Sequence, residues 1–291
     1  MMASVNSFAV SLFGWIPDRY GGVFAIVKES LPKANMSMTF RTYMSIVFFI
    51  GMIAYVATLF GLLMALRIVE ISAMMTVVYV IFVPFMVSLF CIIIMVFYPY
   101  QETMSRRKNI EANLPFVLTH MGAVAESGVP PYVIFKLIGR FKEYGDISIE
   151  MKKIVRNIEN FGLDPLRAVK AVAHRTPSEE FKQVLLGFVS TTESGGDIKI
   201  YLKSAGDQAL FDWRIKRERY LQQLSAYAEF YTGILIAAPL FIIALFAVMN
   251  MIQPTIGGFD ILYLTKMSIY VVVPLLNIGF LLFLRGMEVE M

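Results

Sequence analysis

Four long uncharged runs, arranged as two pairs, flank one extended charged region of this chain. The runs are Thr42–Leu66, Ile71–Gln101, Phe230–Phe259 and Met267–Leu284. A helix of about 20 residues crosses the hydrocarbon core of a membrane, so each run predicts one membrane-spanning helix. The pattern therefore predicts two membrane hairpins with a water-soluble domain held between them.

The charged region has the periodicity of short amphipathic helices, with almost none of the alternation typical of strands. Pro115 interrupts the first apolar stripe, which predicts that regular helix starts there. Asp164 before Pro165, and Ser178 before two glutamates, predict the starts of two later helices. We expect five or six helices in a compact bundle. Their apolar stripes are Ile110, Leu114, Val117, Leu118 and Met121; Val133, Ile134, Leu137, Ile138 and Phe141; Ile147, Ile154, Val155 and Ile158; Leu166, Val169 and Val172; and Val184, Leu185, Phe188 and Val189.

The last helix of the charged region is predicted to continue into the third apolar run. No proline occurs between Asp197 and Pro239, and Gly206 is the only flexible point before Gly233. We expect one nearly continuous helix over residues 197–252, of order 80 Å long at about 1.5 Å per residue. Such a rod could transmit tilt or rotation from the domain to the membrane, and a passive stalk is the simpler interpretation.

Composition and charge define the class of protein and its topology. The chain is 57% hydrophobic and 16% charged, which is typical of a polytopic membrane protein with a modest soluble part. Basic residues collect before the first run, after the second and before the third, whereas the loops within each pair carry few charges. Because basic residues accumulate on the cytoplasmic side, we expect both termini and the central domain to be cytoplasmic, at the cell membrane.

The predicted fold is all-α: a polytopic membrane protein with four transmembrane helices and a cytoplasmic helical bundle between the two hairpins. Phe8 and Trp15 lie in an apolar N-terminal stretch without the basic start of a signal peptide, which favours an interfacial helix over a poorly ordered tail. We divide the chain into an N-terminal interfacial helical region, residues 1–41; transmembrane helices 1 and 2, residues 42–101; the bundle, residues 102–226; and transmembrane helices 3 and 4 with a short cytoplasmic tail, residues 227–291.

A weak internal repeat runs through the central domain. Gly128, Gly162 and Gly196 are each separated by 34 residues, and proline or aspartate follows each of them closely. Each glycine is predicted to end one helix in the left-handed conformation before the next helix begins. A period of this length also occurs in tetratricopeptide repeats, but their tryptophan and Leu-Gly pattern is missing.

Three short segments carry a resemblance to a known family. They are Glu126-Ser-Gly-Val-Pro-Pro-Tyr-Val-Ile-Phe-Lys136, Asn160-Phe-Gly-Leu-Asp-Pro-Leu-Arg-Ala-Val169 and Ser194-Gly-Gly-Asp-Ile198. In this order they resemble the cytoplasmic domain of the type II secretion system F family, over roughly residues 100–252. Its members are inner-membrane platform proteins of type II secretion, type IV pili, Tad pili and the archaellum.

The resemblance implies a function and partners. A family member would not be an enzyme; it would couple a hexameric secretion-type ATPase to pilin-like or archaellin-like subunits entering a filament. Many members carry two such cytoplasmic domains, and this chain has one, which implies a homodimer or a dimer with a paralogue. The Met-rich and Ile-rich composition hints at an archaeal member.

Several kinds of chemistry are missing from the sequence. It contains no Gly-x-x-x-x-Gly-Lys-Ser/Thr phosphate loop, and no Ser/His/Asp or Cys/His arrangement stands out. His120 and His174 have no ligand-spaced partners, so we expect no metal, no cofactor and ordinary domain roles for both. The four runs contain no Asp, Glu, Lys or Arg within their membrane-crossing parts, which disfavours a secondary transporter. Nucleic-acid binding is also disfavoured, because acidic residues interrupt the basic clusters.

The residues of functional interest fall into three groups. The first is a basic stretch near the third run, which either meets anionic lipid headgroups or contacts the ATPase; Arg106, Arg107 and Lys108 are interpreted as headgroup residues in the same way. The second is a set of turns, and the third is the membrane-edge residue Glu229, which either pairs with a basic residue or binds a pilin N-terminal amine. The candidate ATPase contacts are Trp213, Arg214, Lys216, Arg217 and Arg219, and the candidate structural turns are Gly128, Gly162, Gly195, Gly196 and Asp197.

Two other functions stay open at this point. One is a membrane permease subunit driven by a separate ATPase, and the other is a membrane-anchored adaptor or signalling protein. Permeases of the first kind dock through a short coupling helix, whereas the charged region here is long enough to fold with its own core. An adaptor gives no reason for the Ser194–Asp197 turn to lead into a continuous helix.

Overall fold

The computed structural model describes residues 2–22, 24–66 and 73–286. Within it the chain forms two compact units, residues 1–209 and residues 210–291. Arg67, Glu70 and the predicted start of the second span at Ile71 lie outside the described residues, as does most of the predicted C-terminal tail. The all-α fold is confirmed, and four helices are long and apolar enough to cross a membrane.

The first unit contains the first membrane hairpin and the whole bundle core. One 3-10 turn, Lys142–Tyr144, precedes the seventh helix, and the tenth helix continues beyond this unit. The helices are α1 Met2–Phe13, α2 Trp15–Tyr20, α3 Ala25–Lys33, α4 Phe40–Leu66, α5 Ala73–Glu126, α6 Pro131–Ile138, α7 Gly145–Glu159, α8 Pro165–Ala173, α9 Glu179–Glu193 and α10 Ile198–Phe230.

Helix α5 is 54 residues long and passes from the second apolar run into the bundle without a break. The prediction that regular helix starts at Pro115 is wrong, because the helix continues through this proline. A proline inside a helix removes one hydrogen bond. Around Pro115 that loss is offset by burial of the apolar stripe on both sides, including Ile110 at 0% exposure and Leu118 at 1%.

The bundle core is built from the apolar stripes that the sequence places on its helices. These residues come from α5, α6, α7, α8, α9 and the first part of α10, so the expected bundle of five or six helices is confirmed. The largest fully buried side chains include Phe135 and Phe181, and the Phe135 ring meets Phe188 edge to face at 5.2 Å between centroids. Burial of large side chains of this kind is the main source of stability for such a domain.

Two polar caps position the short helices of the bundle as predicted. The Asp164 carboxylate accepts hydrogen bonds from the backbone N–H groups of Leu166 and Arg167, with Pro165 in the first turn of α8. The Ser178 hydroxyl oxygen accepts one from the backbone N–H of Phe181 at the start of α9. Both caps satisfy donors that a helix start otherwise leaves unpaired.

Helices α4 and α5 pack closely where Gly51 faces Ile92. A Cβ atom at Gly51 would lie 2.7 Å from the Ile92 side chain, and the Ser88 hydroxyl donates a hydrogen bond to the Gly51 carbonyl at 2.8 Å. Near the other end of the contact, the Tyr43 hydroxyl donates to the Met95 carbonyl at 2.7 Å. Small residues let membrane helices approach each other in this manner.

We expect Gly51→Ala to destabilise the first hairpin by about 1 kcal/mol, because the Ile92 side chain must move aside. Thermal unfolding of the detergent-solubilised protein, followed by circular dichroism, measures the effect. Gly61→Ala in the same helix is the matched control, since apart from the adjoining backbone of α4 no atom of the described residues lies within 4 Å of a Cβ placed there. An equal loss in both variants would show that close packing at Gly51 is not the cause.

The N-terminal segment is helical and packs on the first hairpin. Helix α1 packs against α4: the Phe8 and Phe49 rings lie 5.9 Å apart, and Asp18 of α2 pairs with Arg41 at 3.3 Å. Helix α3 packs against α5. The placement of this segment at the membrane interface stays a prediction.

The second unit contains the rest of α10 and the last two apolar helices. From α10 the backbone stays helical through a π-helical segment, Tyr231–Ala237, and α11, Ala238–Ile252, which confirms the predicted uninterrupted helix. A short hairpin follows, β1 Thr255–Ile256 with β2 Phe259–Asp260, and then α12 Ile261–Met267, a π-helical segment Ser268–Val272 and α13 Val273–Gly286.

The predicted end of the third helix is confirmed, and the start of the fourth is shifted. The third helix ends at Ile252, because Pro254 disfavours helical backbone at Gln253, which is extended. The fourth begins at Ile261, where the Asp260 carboxylate caps it by accepting a hydrogen bond from the backbone N–H of Leu262. Lys266 interrupts the uncharged sequence, so the turns before Met267 lay outside the predicted fourth span.

Candidate functional site

Arg106 forms a buried ionic centre where α5 leaves its apolar segment. Its guanidinium donates to Asp146 Oδ1 and to Glu150 Oε1, both at 2.7 Å, and to the Lys33 carbonyl at 2.5 Å. Arg106 is 4% exposed and Glu150 is 1% exposed. One side chain of α5 therefore holds both the N-terminal half of α7 and the C-terminal end of α3.

The charges at this centre depend on each other. Burial disfavours the charged form of Arg106, but hydrogen bonds and attraction from Glu150 and Asp146 outweigh it and raise the pKa of the guanidinium. Lys153 adds a second cation, at 2.9 Å from Glu150 Oε1. The other oxygen of Glu150 is buried without a hydrogen bond from the described residues. Removal of Arg106 would leave a buried carboxylate with much less compensation.

The interpretation of Arg106 as a lipid-headgroup residue is wrong. The residue points into the protein because two carboxylates on α7 lie within reach of it. Its neighbour Arg107 differs, since it is largely exposed and pairs with Glu111 one turn further along α5 at 2.8 Å. The run of three basic residues thus contains one residue with a structural role inside the bundle.

A second close contact joins α5 to the start of α10, and each helix has a glycine in it. A Cβ atom at Gly206 would lie 3.1 Å from backbone atoms of Leu118 and Thr119, and one at Gly122 would lie 3.2 Å from the Lys203 Cα. The prediction that Gly206 is a flexible point is wrong. It is a packing contact between the helix that enters the bundle and the helix that leaves it.

An ion pair lies beside this glycine contact. The Lys203 ammonium is 2.6 Å from Glu126 Oε1, so it joins α10 to the C-terminal end of α5. Both side chains are exposed. The pair therefore adds little stability by itself, and it lies where the two helices approach each other.

The candidate turns adopt conformations that only glycine tolerates well. Gly128, Gly162 and Gly195 have φ angles of 77°, 62° and 73°. The 34-residue spacing predicted a left-handed conformation at Gly196, but the glycine that adopts it is Gly195. Asp197 then opens α10 by accepting a hydrogen bond from the backbone N–H of Lys199 at 2.8 Å.

The candidate ATPase contacts lie on the part of α10 that belongs to the second unit. Helical periodicity puts Arg214 and Arg217 on one side and Lys216 and Arg219 on the opposite side. The Arg217 guanidinium lies over the Trp213 ring at 5.1 Å, so the tryptophan is grouped with the first side, although its position on the helix also neighbours Lys216. We call these the Trp213 face (Trp213, Arg214, Arg217) and the Lys216 face (Lys216, Arg219).

The remaining candidates have simple surroundings. Glu229 is exposed near the end of α10. The Tyr231 hydroxyl meets the side chain of Asn277 on α13 at 3.3 Å, which joins the last two apolar helices within the second unit. His120 Nδ1 lies 2.8 Å from the Tyr144 hydroxyl, whose pKa is raised by burial. Among the described residues, no group of three or more His, Cys, Asp or Glu side chains could hold a metal ion.

Sequence reasoning missed the buried centre at Arg106 and the contact between α5 and α10. Arg106 stands 40 residues from Asp146, and Glu126 stands 77 residues from Lys203. No local spacing signals such pairs, because only the fold brings them together. Gly122 directly follows the last residue of an apolar stripe, Met121, and carries no turn signal.

Relatives of this chain occur in Methanocaldococcus and Methanococcus. An uncharacterized protein of Methanocaldococcus jannaschii is 25% identical over 193 residues, covering 65% of this chain and 32% of the relative. Two proteins named flagella accessory protein J, from Methanocaldococcus jannaschii and Methanococcus voltae, are each 22% identical, covering 60% of this chain and 30% of the relative. This chain thus matches about a third of the length of these relatives.

No solved structure matches this chain significantly. A family model does match: type II secretion system (T2SS), protein F, over residues 117–246. The matched region contains most of the bundle, the Gly122–Gly206 contact, both basic faces of α10 and part of the third apolar helix. Residues 117–246 are therefore similar to the type II secretion system protein F family, which confirms the resemblance seen in the sequence.

Proposed function

We propose that this protein is a non-catalytic membrane platform that couples a cytoplasmic secretion-type ATPase to the assembly of pilin-like or archaellin-like subunits. The observation that carries the proposal is a region similar to protein F in a chain with four helices long and apolar enough to cross a membrane. The names of two relatives favour an archaellum-type filament over a pilus or a secretion pseudopilus.

The continuity of the long helices supports a coupling role. Helix α5 carries the second apolar segment and a large part of the bundle core in one element, and α10 begins in that core and leads along the chain into the third apolar segment. A force on the bundle is therefore passed to both neighbouring apolar segments through backbone hydrogen bonds. The buried centre at Arg106 adds α3 to the same body.

The topology and the assembly belong to the same proposal. The bundle and both termini face the cytoplasm, and exposed basic residues near the membrane meet anionic headgroups. A single cytoplasmic domain under a symmetric motor works as a homodimer or as a dimer with a paralogue. Glu229 at the membrane edge is available to bind the amino group of an incoming subunit.

The alternative, a permease subunit driven by a separate ATPase, is less well supported. Such a subunit needs only a short coupling helix on its cytoplasmic side. Here the part between the hairpins has its own core, with buried residues from Ile110 to Leu202 contributed by six helices. A folded domain of this size suits a protein whose cytoplasmic part receives and transmits movement.

We expect the ATPase to bind the Trp213 face of α10 and the Lys216 face to contribute little. The Trp213 face combines two arginines with an aromatic ring, a composition common at protein interfaces. The test titrates the ATPase of the same organism into full-length protein in lipid nanodiscs. Binding is compared between the variants R214E/R217E and K216E/R219E. The first variant should weaken binding by about tenfold or more, since buried charged contacts are worth at least about 1.4 kcal/mol.

The two variants control for each other, because each reverses two charges on the same stretch of helix. Equal weakening in both would indicate general electrostatic attraction and remove the specific contact. Unchanged binding in both would move the motor contact elsewhere on the chain. Absence of binding by the unaltered protein to any secretion-type ATPase of its organism would contradict the platform function itself.

A further inference from the structure

An open groove between α6 and α7 collects positive charge on the outside of the bundle. It has a volume of about 240 Å³. The absence of a side chain at Gly139 lets α7 approach, since a Cβ atom there would lie 3.3 Å from the Lys152 side chain. The charged and polar side chains along the groove are Lys136, Arg140, Lys152, Arg156, Glu159 and Asn160.

The groove contains more cations than the bundle neutralises. Lys136 pairs with Glu159 at 2.9 Å, and the Tyr132 hydroxyl donates a hydrogen bond to the same carboxylate. The other three cations, on Arg140, Lys152 and Arg156, are exposed, and none of the carboxylates in the described parts of the chain lies within ion-pair distance of them. Three positive groups therefore line one groove without a counter-charge from the described residues.

This arrangement costs stability, because like charges four residues apart on one helix repel each other. Lys152 and Arg156 have that spacing on α7. Exposed cations elsewhere in the bundle often have a partner, as Lys170 pairs with Glu193 at 2.7 Å. The carboxylates near the start of α7 point to Arg106 instead. These carboxylates therefore do not neutralise the cations of the groove, which can pair with an anion of another molecule.

An exposed aromatic ring stands at one end of the groove. Phe161 directly follows Asn160, at the turn between α7 and α8, and it is 68% exposed. The left-handed Gly162 fixes this turn, and Leu163 beyond it is also exposed at 38%. Apolar side chains beside a basic groove favour a peptide over a simple inorganic anion, because an anion gains nothing from them.

We propose that the α6–α7 groove is the docking site for an acidic segment of a soluble protein partner. Carboxylates of the segment pair with Arg140, Lys152 and Arg156, and an apolar side chain of the segment covers Phe161. Arginine suits this role because its guanidinium binds a carboxylate through two parallel hydrogen bonds. The site lies on α6 and α7, apart from the two faces of α10, and does not require the motor contact proposed above.

A short fluorescent peptide of glutamates around one central phenylalanine is the probe. It is titrated into full-length protein in nanodiscs of zwitterionic lipid, and fluorescence anisotropy reports binding. R140E/K152E/R156E should weaken binding by about tenfold or more, and added salt should weaken the unaltered complex. R175E/K182E/K199E reverses three cations outside the groove and should leave binding nearly unchanged. Phe161→Ser should weaken the phenylalanine peptide more than a serine-substituted peptide.

Several results would overturn the proposal. The first is that the peptide does not bind, and the second is that both triple variants weaken binding equally. The third is that inorganic pyrophosphate displaces the peptide while Phe161→Ser has no effect, which would indicate a small-anion site. Binding to anionic-lipid nanodiscs that depends on the groove, without peptide binding, would indicate a lipid surface instead. If the reversed variant fails to fold by circular dichroism, R140Q/K152Q/R156Q answers the same question without adding negative charge.

Discussion

Replacement of Arg106 by methionine is expected to lower the free energy of unfolding by about 3–5 kcal/mol, the usual cost of removing one partner of a buried ion pair. Methionine keeps much of the side-chain volume, so the loss is mainly electrostatic. Glu150, which is 1% exposed, would retain only Lys153 as a cationic partner among the described residues. The variant would also lose the hydrogen bond to the Lys33 carbonyl that holds the end of α3.

Arg107→Met is the matched control, because Arg107 is the next residue and forms an exposed pair with Glu111. Its expected cost is below about 0.5 kcal/mol. Unfolding in detergent is followed by circular dichroism, and limited proteolysis after Lys28 and Lys33 reports release of α3. The double variant R106M/E150Q should recover part of the loss, since it removes the uncompensated carboxylate. Similar costs for the two arginines would rule out a special role for the buried centre.

Gly206→Leu is expected to disrupt the contact between α5 and α10 and to cost about 3 kcal/mol, the upper part of the range for overpacking. The atoms that a side chain would meet are backbone atoms of Leu118 and Thr119, which cannot rotate away as a side chain can. The nearby pair between Lys203 and Glu126 would separate at the same time. The bundle should therefore lose stability although the substitution adds apolar surface.

The measurement is again thermal unfolding of the full-length protein, with Gly61→Leu as the control. Gly61 lies in α4, and apart from the adjoining backbone of this helix no atom of the described residues is within 4 Å of the position that its Cβ would occupy, so leucine should fit there at little cost. Gly122→Leu should behave like Gly206→Leu, because the two glycines belong to one contact. A normal melting temperature for Gly206→Leu would mean that the two helices can separate without loss to the core.

Local sequence patterns predicted the elements of the bundle well. The spacing of apolar residues identified α6 to α9, and Asp164 and Ser178 marked two helix starts, because both signals depend on neighbours within one or two turns. Pro115 misled the prediction for the opposite reason. Its local effect is unfavourable, but burial of residues before and after it favours a continuous helix.

Local sequence patterns did not predict the long-range contacts. Arg106 follows an apolar run in the way that basic residues at a membrane surface do, and its partners Asp146 and Glu150 lie 40 and 44 residues later. Gly206 looks flexible on its own, and only the position of the α5 backbone beside it shows that it is a contact. The third left-handed glycine was displaced by one residue, since two glycines adjoin and spacing alone could not decide between them.

Because α5 is unbroken, the number of residues between its apolar segment and Arg106 sets the orientation of the bundle relative to that segment. Between Gln101, where the apolar run ends, and Arg106, where the buried centre begins, no turn or loop can absorb a change in length. One inserted residue would rotate everything beyond it by about 100° and advance it by about 1.5 Å. Arg106 would then face away from the end of α3. Evolution of this segment is therefore restricted in length as well as in composition, and a whole number of helical turns is the change that it tolerates best.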